Sequence, residues 1–334
     1  MDPWALRRLG RSDVVVTRLG LGTAPLGNLF QPVSDGQAAA VVTRALELGI
    51  RFFDTAPLYG HGLAERRLGA ALAGVSRDTY VLATKVGRLL VRGADPDPSQ
   101  FHEGQPFYRD TPDVAPVFDF SARGARQSLE ESLARLGLDR VDVLHIHDPD
   151  EHPGEALEGA YRTLDELRGV GVVGAIGAGM NQAEMLARFA RAAPFDCFLL
   201  AGRYTLLDQS GLDELLPLCA EKGISIIAGG VYNSGLLADP RPGATYDYVP
   251  APAALVERAR AIGAVCAGHN VPLKAAAIQF PFGHPAVDVV LAGCRSVAEL
   301  EENVAMFELP IPEACWADLR AAGLLAERVP VPVP

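Results

Sequence analysis

Four side chains with acid–base chemistry stand at or just beyond the ends of three apolar runs in this sequence. Asp54 ends the first run, and Tyr59 follows it five residues later. Lys85 ends the second run, and His147 ends the third. Because the carboxyl ends of parallel strands meet at one face of a β/α fold, we expect the four side chains to converge there. This arrangement predicts a proton-transfer site built around a tyrosine.

The residue types suggest a role for each member of this group. A free phenol has a pKa of about 10, which is too high for easy proton exchange at neutral pH. A nearby ammonium lowers the pKa of a phenol, and we expect Lys85 to do so for Tyr59. Asp54 would hold Lys85 charged, and His147 would donate a hydrogen bond to the reacting oxygen. The alternative is a purely structural Asp54–Lys85 pair. Acid–base side chains recur at the ends of successive strands, and this recurrence favours catalysis.

A metal site is the other chemistry that this region suggests. His145 and His147 are two residues apart and would share one face of a strand, which is a spacing that can serve a metal. No cysteine cluster and no H-E-x-x-H pattern supplies the remaining ligands. We therefore expect no bound metal, and we interpret His145 as an interior histidine whose hydrogen bonds are satisfied.

Short apolar runs typical of β-strands alternate with helix-type windows along the chain. The strand-type runs lie at 19–22, 51–54, 80–86, 141–147, 172–178, 196–201, 224–228 and 287–292. The helix-type windows lie at 35–49, 63–73, 122–136, 155–168, 181–192, 211–222, 252–268 and 297–306. Eight strands, each followed by a helix, predict an α/β fold of the (β/α)8 TIM-barrel type, and continuously apolar strands are typical of a buried parallel sheet.

Further segments are predicted around this barrel, within one domain that spans 1–334. Two short runs at 6–9 and 14–16 predict an N-terminal β-hairpin that plugs the bottom of the barrel. The segment 87–120, after the third strand, contains five prolines and five aromatic residues. We interpret it as a long loop that serves as a substrate lid. The proline-rich end, 329–334, is interpreted as a tail.

Two glycine-containing loops predict a phosphate site. Residues 229–235 follow the seventh strand, and residues 293–296 follow the eighth, which are the positions where barrels often bind phosphate. Glycines there let backbone N–H groups approach an anion closely. A Rossmann fingerprint is not supported, because the glycines that begin at Gly20 and Gly174 have the wrong spacing.

Composition limits the partners of this protein. The 334 residues are 49% hydrophobic and carry a formal charge of −11, which argues against nucleic acid or an anionic membrane surface as a partner. No uncharged apolar run is long enough to span a bilayer. Five widely spaced cysteines predict reduced thiols and a cytoplasmic location. We expect a small-molecule substrate and a monomer or weak homo-oligomer.

Taken together, these motifs resemble those of the aldo-keto reductase superfamily over nearly the whole chain. The matching positions are Gly22-Thr23, Phe53-Asp54-Thr55-Ala56-x-x-Tyr59-Gly60, Thr84-Lys85, Asp142-x-x-x-x-His147, Ile176-Gly177 and Glu302-Asn303. The resemblance implies a (β/α)8 barrel enzyme that uses a nicotinamide cofactor and no metal. The four acid–base residues described above would form its catalytic tetrad.

The resemblance, with the two glycine loops, also implies which residues bind the cofactor. They are Gly22, Thr23, Ala24, Asp54, Asn181, Ala201, Arg203, Gly229, Gly230, Tyr232, Asn233, Ser234, Gly235, Gly293, Arg295, Glu299, Glu302 and Asn303. The common NADP-dependent pattern has a Lys-Ser pair and an arginine where this chain has Gly293, Cys294 and Glu299. We therefore expect NAD, with NADP as the alternative because Arg295 is a neighbouring cation.

Departures from the common pattern narrow the resemblance. Ala201 replaces the usual glutamine, and Ala178-Gly179-Met180-Asn181 replaces the usual x-Ser-Asn. These departures resemble the branch that contains L-fucose, D-threo-aldose, L-galactose and pyridoxal dehydrogenases. That branch implies oxidation of an aldose at C1 to a lactone. The alternatives are a pyridoxal 4-dehydrogenase and a general aldehyde or ketone reductase.

Two further readings of the chain come from other classes of protein. A Schiff-base aldolase that uses Lys85 is disfavoured, because Asp54 keeps the lysine charged whereas a Schiff base requires a neutral amine. A cofactor-binding regulatory subunit with little turnover is disfavoured by the intact tetrad.

Overall fold

The computed structural model describes residues 1–333, and within them eight parallel strands close into a barrel. The strands of the chain are β1 (Leu6–Arg8), β2 (Val15–Thr17), β3 (Leu19–Gly22), β4 (Phe52–Asp54), β5 (Val81–Val86), β6 (Arg88–Val91), β7 (Phe101–His102), β8 (Gln105–Pro106), β9 (Ala115–Phe118), β10 (Val143–His147), β11 (Ala175–Met180), β12 (Cys197–Ala201), β13 (Ser225–Gly229), β14 (Thr245–Tyr246), β15 (Val249–Pro250) and β16 (Val287–Gly293). The barrel order is β3-β4-β5-β10-β11-β12-β13-β16, and β16 pairs with β3. The predicted (β/α)8 barrel is confirmed.

Helices follow the barrel strands on the outside. They are α1 (Asp35–Leu48), α2 (Leu63–Leu72), α3 (Ala122–Leu136), α4 (Pro153–Glu155), α5 (Arg162–Gly169), α6 (Ala183–Ala192), α7 (Leu215–Lys222), α8 (Ala253–Gly268), α9 (Leu273–Gln279), α10 (Val297–Glu308) and α11 (Glu313–Ala321). A π-helical turn, Ala156–Tyr161, joins α4 to α5. No helix in this described part of the chain is long and apolar enough to cross a membrane.

Capping residues define several of these helices. Ser34 accepts a hydrogen bond from the Gln37 N–H, and Gln37 bonds back to Ser34, so α1 begins with a capping box. Ser121 caps α3 by accepting a hydrogen bond from the Gly124 N–H. The predicted helix window 181–192 starts two residues too early, because α6 begins at Ala183 after Gln182.

The N-terminal hairpin closes the bottom of the barrel, as predicted. Strands β1 and β2 pair antiparallel, and Leu9 and Val16 are fully buried in the cluster that fills the lower barrel interior. The Gly10 N–H donates to Ser225 Oγ at 2.7 Å. A side chain at Gly10 would meet the Asp196 carbonyl oxygen at 2.0 Å, and φ is +55° there, so this contact requires glycine.

The segment 87–120 has more structure than the predicted loop. Strands β6 and β9 form an antiparallel hairpin, and β7 and β8 form a smaller one inside it. The sequence interpretation missed these strands because their partners are separated along the chain and several prolines interrupt them. At the other end of the chain, Val329 of the predicted tail is buried and Pro330 lies against Gly283. Residue 334 lies outside the described residues.

We expect Leu9→Ala to lower the free energy of unfolding by about 2–5 kcal/mol, because it removes buried methyl groups from the barrel plug. Leu6→Ala is the matched control, since Leu6 is in the same hairpin but 63% exposed, and it should change the value by less than about 0.5 kcal/mol. Urea denaturation of the three proteins measures the difference. Equal stability of both variants would contradict the plug.

Candidate active site

The four acid–base residues meet at the carboxyl end of the barrel. Lys85 Nζ lies 2.6 Å from Asp54 Oδ1 and also donates to the Thr55 carbonyl oxygen at 2.9 Å. The same Nζ lies 4.7 Å from the centre of the Tyr59 ring. The ring centres of Tyr59 and His147 are 5.8 Å apart, with the rings nearly perpendicular. The four side chains therefore lie close together in the barrel, as the sequence analysis predicted.

Strand register and one tight backbone contact set these positions. Asp54 ends β4, His147 ends β10, and Lys85 lies near the end of β5, which runs between those two strands. Tyr59 lies in the loop after β4. Next to it, Gly60 has φ of +61°, and a side chain there would meet the Gly27 carbonyl oxygen at 2.3 Å. Only glycine permits this approach, which fixes the loop that carries Tyr59.

Burial determines the protonation of this group. It raises the pKa of Tyr59 well above the ordinary value of a phenol, and the Asp54 carboxylate adds to the rise. The sequence interpretation expected a lowered pKa for Tyr59, and that expectation is wrong, because burial makes the net shift upward. Burial also raises the pKa of Asp54, against the opposing effect of the Lys85 ammonium. Tyr59 is accordingly a neutral phenol at pH 7.

His147 is held as a neutral imidazole. Burial lowers its pKa well below the ordinary histidine value, and the nearby Lys85 and Arg88 charges lower it further. His147 Nε2 lies 3.5 Å from Asp148 Oδ2. A neutral imidazole carries a proton on one nitrogen only, so it can donate one hydrogen bond to a bound oxygen.

His145 lies in the barrel interior, two residues before His147. It is fully buried, and burial with the Lys85 charge lowers its pKa to about 3. Neither ring nitrogen has a hydrogen-bond partner within residues 1–333, so the expectation of a satisfied histidine is wrong. Gly177 makes room for the ring, since a Cβ there would lie 2.5 Å from Nδ1. In residues 1–333, no three His, Cys, Asp or Glu side chains are grouped to hold a metal.

Three loops meet above these residues and form an aromatic roof, which we define as Phe30, Phe107 and Tyr248. The ring centres are 6.2 Å apart for Phe30 and Phe107, 5.8 Å for Phe30 and Tyr248, and 5.4 Å for Phe107 and Tyr248. Next to the roof, Tyr108 approaches Tyr59 with a ring separation of 6.4 Å. The segment 87–120 therefore reaches over the acid–base residues. A partly open cavity of about 400 Å³ lies within this segment and is lined by Tyr108 and His61 among others.

The predicted cofactor residues form two groups around the barrel mouth. One group comes from the ends of the barrel strands: Gly22 ends β3, Ala201 ends β12, and Asn181 directly follows β11. Thr23 and Ala24 follow Gly22, and Thr23 uses both its N–H and its hydroxyl to donate to the Asp54 carbonyl oxygen. This group surrounds the acid–base residues.

The second group joins the loops after β13 and β16. Tyr232 donates its hydroxyl to Asn303 Oδ1 at 2.9 Å, which connects the two loops. The loop after β13 contains four positions with positive φ: Gly230, and then Asn233, Ser234 and Gly235 in succession. Asn233 is buried, and its Oδ1 has no partner among residues 1–333. Turns of this kind direct backbone N–H groups towards an anion.

Four charged residues predicted to contact the cofactor are already in ion pairs. Arg295 binds Glu299 twice, through its backbone N–H at 2.8 Å and its guanidinium at 3.2 Å. Arg203 binds Asp247 through two nitrogens at 3.0 and 2.8 Å. Glu302 binds Lys274 at 2.7 Å. Gly293 is exposed and lies beside Gly22, its partner across β16 and β3.

Two site residues escaped the sequence interpretation. Arg88 is the first residue of β6 and is 5% exposed, and it binds both Asp97 and Asp148. Asp148 directly follows His147, so its position after a strand end was a signal that could have identified it. Arg88 gave no such signal, because it lies inside the segment that was interpreted as an irregular loop.

Comparison with known proteins supports the family that the sequence motifs suggested. The sequence profile described as the Aldo/keto reductase family matches residues 18–323. A D-threo-aldose 1-dehydrogenase from a Pseudomonas species is 44% identical, over 94% of this chain and 96% of the relative. The pyridoxal 4-dehydrogenase of Microbacterium luteolum is 41% identical over 96% and 98%, and the L-galactose dehydrogenase of Arabidopsis thaliana is 33% identical over 90% and 87%.

A solved structure agrees as well. An aldo-keto reductase from Bacillus halodurans in its holo form has a TM-score of 0.74 and 25% identity, with 98% of each chain covered. The family profile spans most of the barrel, and the relatives align over nearly their full lengths. The chain therefore belongs to the aldo/keto reductase family of oxidoreductases, which use nicotinamide cofactors.

Proposed function

We propose that this enzyme oxidises an aldose at C1 to the lactone with a nicotinamide cofactor. The observation that carries the proposal is the position of Tyr59, whose ring faces both the Lys85 ammonium and the His147 imidazole. The 44% identity to a D-threo-aldose 1-dehydrogenase supports an aldose as the substrate. The 41% identity to a pyridoxal 4-dehydrogenase makes pyridoxal the second candidate.

The acid–base step can be derived from these side chains. Tyr59 first loses its phenol proton to solvent, and the Lys85 ammonium stabilises the phenolate. The phenolate then takes the proton of the C1 hydroxyl, while His147 donates a hydrogen bond that orients the same oxygen. Asp54 keeps Lys85 in place and charged. A bound nicotinamide cofactor, held by the two groups of residues described above, would supply the acceptor for the C1 hydride, so that C1 becomes a carbonyl carbon.

The residues of the second cofactor group fit the phosphates of a dinucleotide. The left-handed turn after β13 supports this. The unpartnered Oδ1 of Asn233 is an acceptor, so it would suit a hydroxyl or amide donor of the cofactor and not a phosphate oxygen. Preference for NAD over NADP is supported by the Arg295–Glu299 pair, since the carboxylate cancels the cation that a 2′-phosphate would need. NADP stays the alternative.

Substrate access and cellular location complete the proposal. Tyr108 and Phe107 bring the segment 87–120 over the site, which supports its role as a substrate lid. All five cysteines are free and buried, which supports a reducing, cytoplasmic compartment. A monomer or weak homo-oligomer remains our expectation for the assembly.

Tyr59→Phe should lower kcat for aldose oxidation by about 10²–10⁴-fold, because it removes the proton acceptor. The dissociation constant for the cofactor should stay close to that of the wild type. Tyr80→Phe is the matched control, since the Tyr80 hydroxyl is buried and has no partner in the described chain. Steady-state kinetics and fluorescence titration make the two measurements. A Tyr59→Phe enzyme that keeps half its activity would refute this role.

The direction of the Tyr59 pKa shift predicts the pH dependence. Because burial raises this pKa, the phenolate is a minor species at neutral pH, and its fraction increases as the pH rises towards the pKa. We expect kcat/KM for oxidation to rise about tenfold per pH unit above neutrality. Reduction of an aldehyde requires the phenol and should stay level over the same interval. An oxidation rate that does not depend on pH would contradict the assignment.

Removing the Glu299 charge should improve the use of NADP. We expect Glu299→Gln to raise kcat/KM for NADP about tenfold relative to NAD, since Arg295 then faces the 2′-phosphate without its partner. Glu301→Gln is the control, because Glu301 lies in the same helix but binds Arg44. Steady-state measurements of kcat/KM for NAD and NADP, with one aldose as the substrate, test this prediction. A wild-type preference for NADP that disappears in Arg295→Ala would reverse the proposed preference.

A further inference from the structure

Two charged side chains beside His147 have no part in the proton transfer described above. Asp148 directly follows His147, and Arg88 is the first residue of the lid hairpin. Asp148 Oδ2 lies 3.2 Å from an Arg88 guanidinium nitrogen and 3.5 Å from His147 Nε2. The pair therefore borders the place where the reacting oxygen would bind.

The backbone holds Asp148 in an unfavourable conformation. Its φ is +44°, a left-handed value that L-residues rarely adopt, and its N–H donates to the Gly179 carbonyl oxygen at 3.1 Å. Strain of this kind is of order 1–3 kcal/mol and tends to occur at functional sites. Here the conformation turns the carboxylate back towards His147 instead of away from the barrel.

Arg88 is fixed from several sides. It is 5% exposed, lies over the Phe118 ring at 4.4 Å, and binds Asp97 at 3.3 Å in addition to Asp148. A guanidinium fixed in this way can hold a carboxylate and still present donors to a ligand. The ion pair thus joins the lid to the strand that ends in His147.

The Asp148 carboxylate is partly accessible and has spare hydrogen-bonding capacity. Its side chain is 29% exposed, and the only side-chain hydrogen bond it accepts within residues 1–333 is the one to Oδ2 from Arg88. Its negative charge also contributes to raising the pKa values of Tyr59, Tyr108 and Tyr248, although burial is the main cause for each. These three tyrosines come from three different loops, and the Asp148 charge acts on all of them.

A carboxylate accepts hydrogen bonds from hydroxyls, and a guanidinium donates to their oxygens, so the two together suit a polyhydroxylated ligand. A substrate oxygen bonded to His147 has its neighbouring hydroxyl within reach of Asp148. We propose that Asp148, held by Arg88, binds the hydroxyl on the carbon next to the reacting carbon. This inference rests on the proposed function, and it makes Asp148 a specificity residue for 2-hydroxylated aldehydes and their sugar hemiacetals.

The experiment compares three substrates: L-fucose, 2-deoxy-L-fucose and, in the reductive direction, benzaldehyde. The wild type should favour L-fucose over its 2-deoxy analogue by at least about 10²-fold in kcat/KM, because a site built for a hydroxyl rejects a ligand that lacks it. Asp148→Asn should lower kcat/KM for L-fucose on the order of 10²-fold, mainly through KM, while changing the other two substrates less than about threefold.

The matched control is Asp113→Asn, which removes the carboxylate of another Arg–Asp pair in the lid, where Arg92 and Asp113 are both exposed. This variant should have the wild-type kcat/KM for all three substrates. The wild-type comparison of the two sugars needs no variant, so it tests the proposal even if Asp148→Asn does not fold.

Three results would overturn this inference. Equal losses on all three substrates would show that Asp148 acts by positioning His147 or the lid. Equal wild-type use of both sugars, or an unchanged Asp148→Asn enzyme, would show that the hydroxyl is not recognised there. A wild-type enzyme that reduces benzaldehyde but oxidises neither sugar would instead refute the proposed function itself.

Discussion

The buried ion pair between Lys85 and Asp54 is the constraint on which the rest of this site depends. The two side chains are 1% and 3% exposed, and isolated charges buried this deeply would be strongly unfavourable. Each charge therefore requires the other at hydrogen-bond distance, and Lys85 gains the Thr55 carbonyl oxygen as a second acceptor. The pair can form because the two residues lie on adjacent parallel strands, with Lys85 two positions beyond Ala83, the register partner of Asp54.

This pair gives the site a cation that faces an aromatic ring. Burial disfavours the phenolate form of Tyr59, as the upward shift of its pKa indicates. The fixed ammonium partly offsets that penalty whenever the proton leaves. His147 is kept neutral by the same burial and the same positive charges. Burial is the main cause of the protonation states of both partners of the reacting oxygen, and the charges of this pair contribute to them.

The loops above the barrel add recognition to this chemistry. Arg88 comes from the lid, Asp148 from the end of β10, and the aromatic roof from three separate loops. The strands below supply a rigid platform, as in other barrels, where variation of loops changes substrate choice without changing the core. In the proposed site, the residue that selects the substrate directly follows the histidine that orients the reacting oxygen, and the lid holds it through Arg88.

The sequence by itself determined the barrel, its hairpin plug and the identity of the acid–base group. Strand periodicity is local, and Asp54, Lys85 and His147 stand at strand ends whose convergence follows from parallel topology alone. Arg295 and Glu299 were identified from the sequence only as charges near the cofactor, and their pairing across the start of α10 is seen in the structure. Only the tertiary structure decided the pairing of β6 with β9, the Arg203–Asp247 contact across 44 residues, and the raised pKa of Tyr59. Those features depend on long-range contacts and on burial, and neither is encoded in the local pattern of residues.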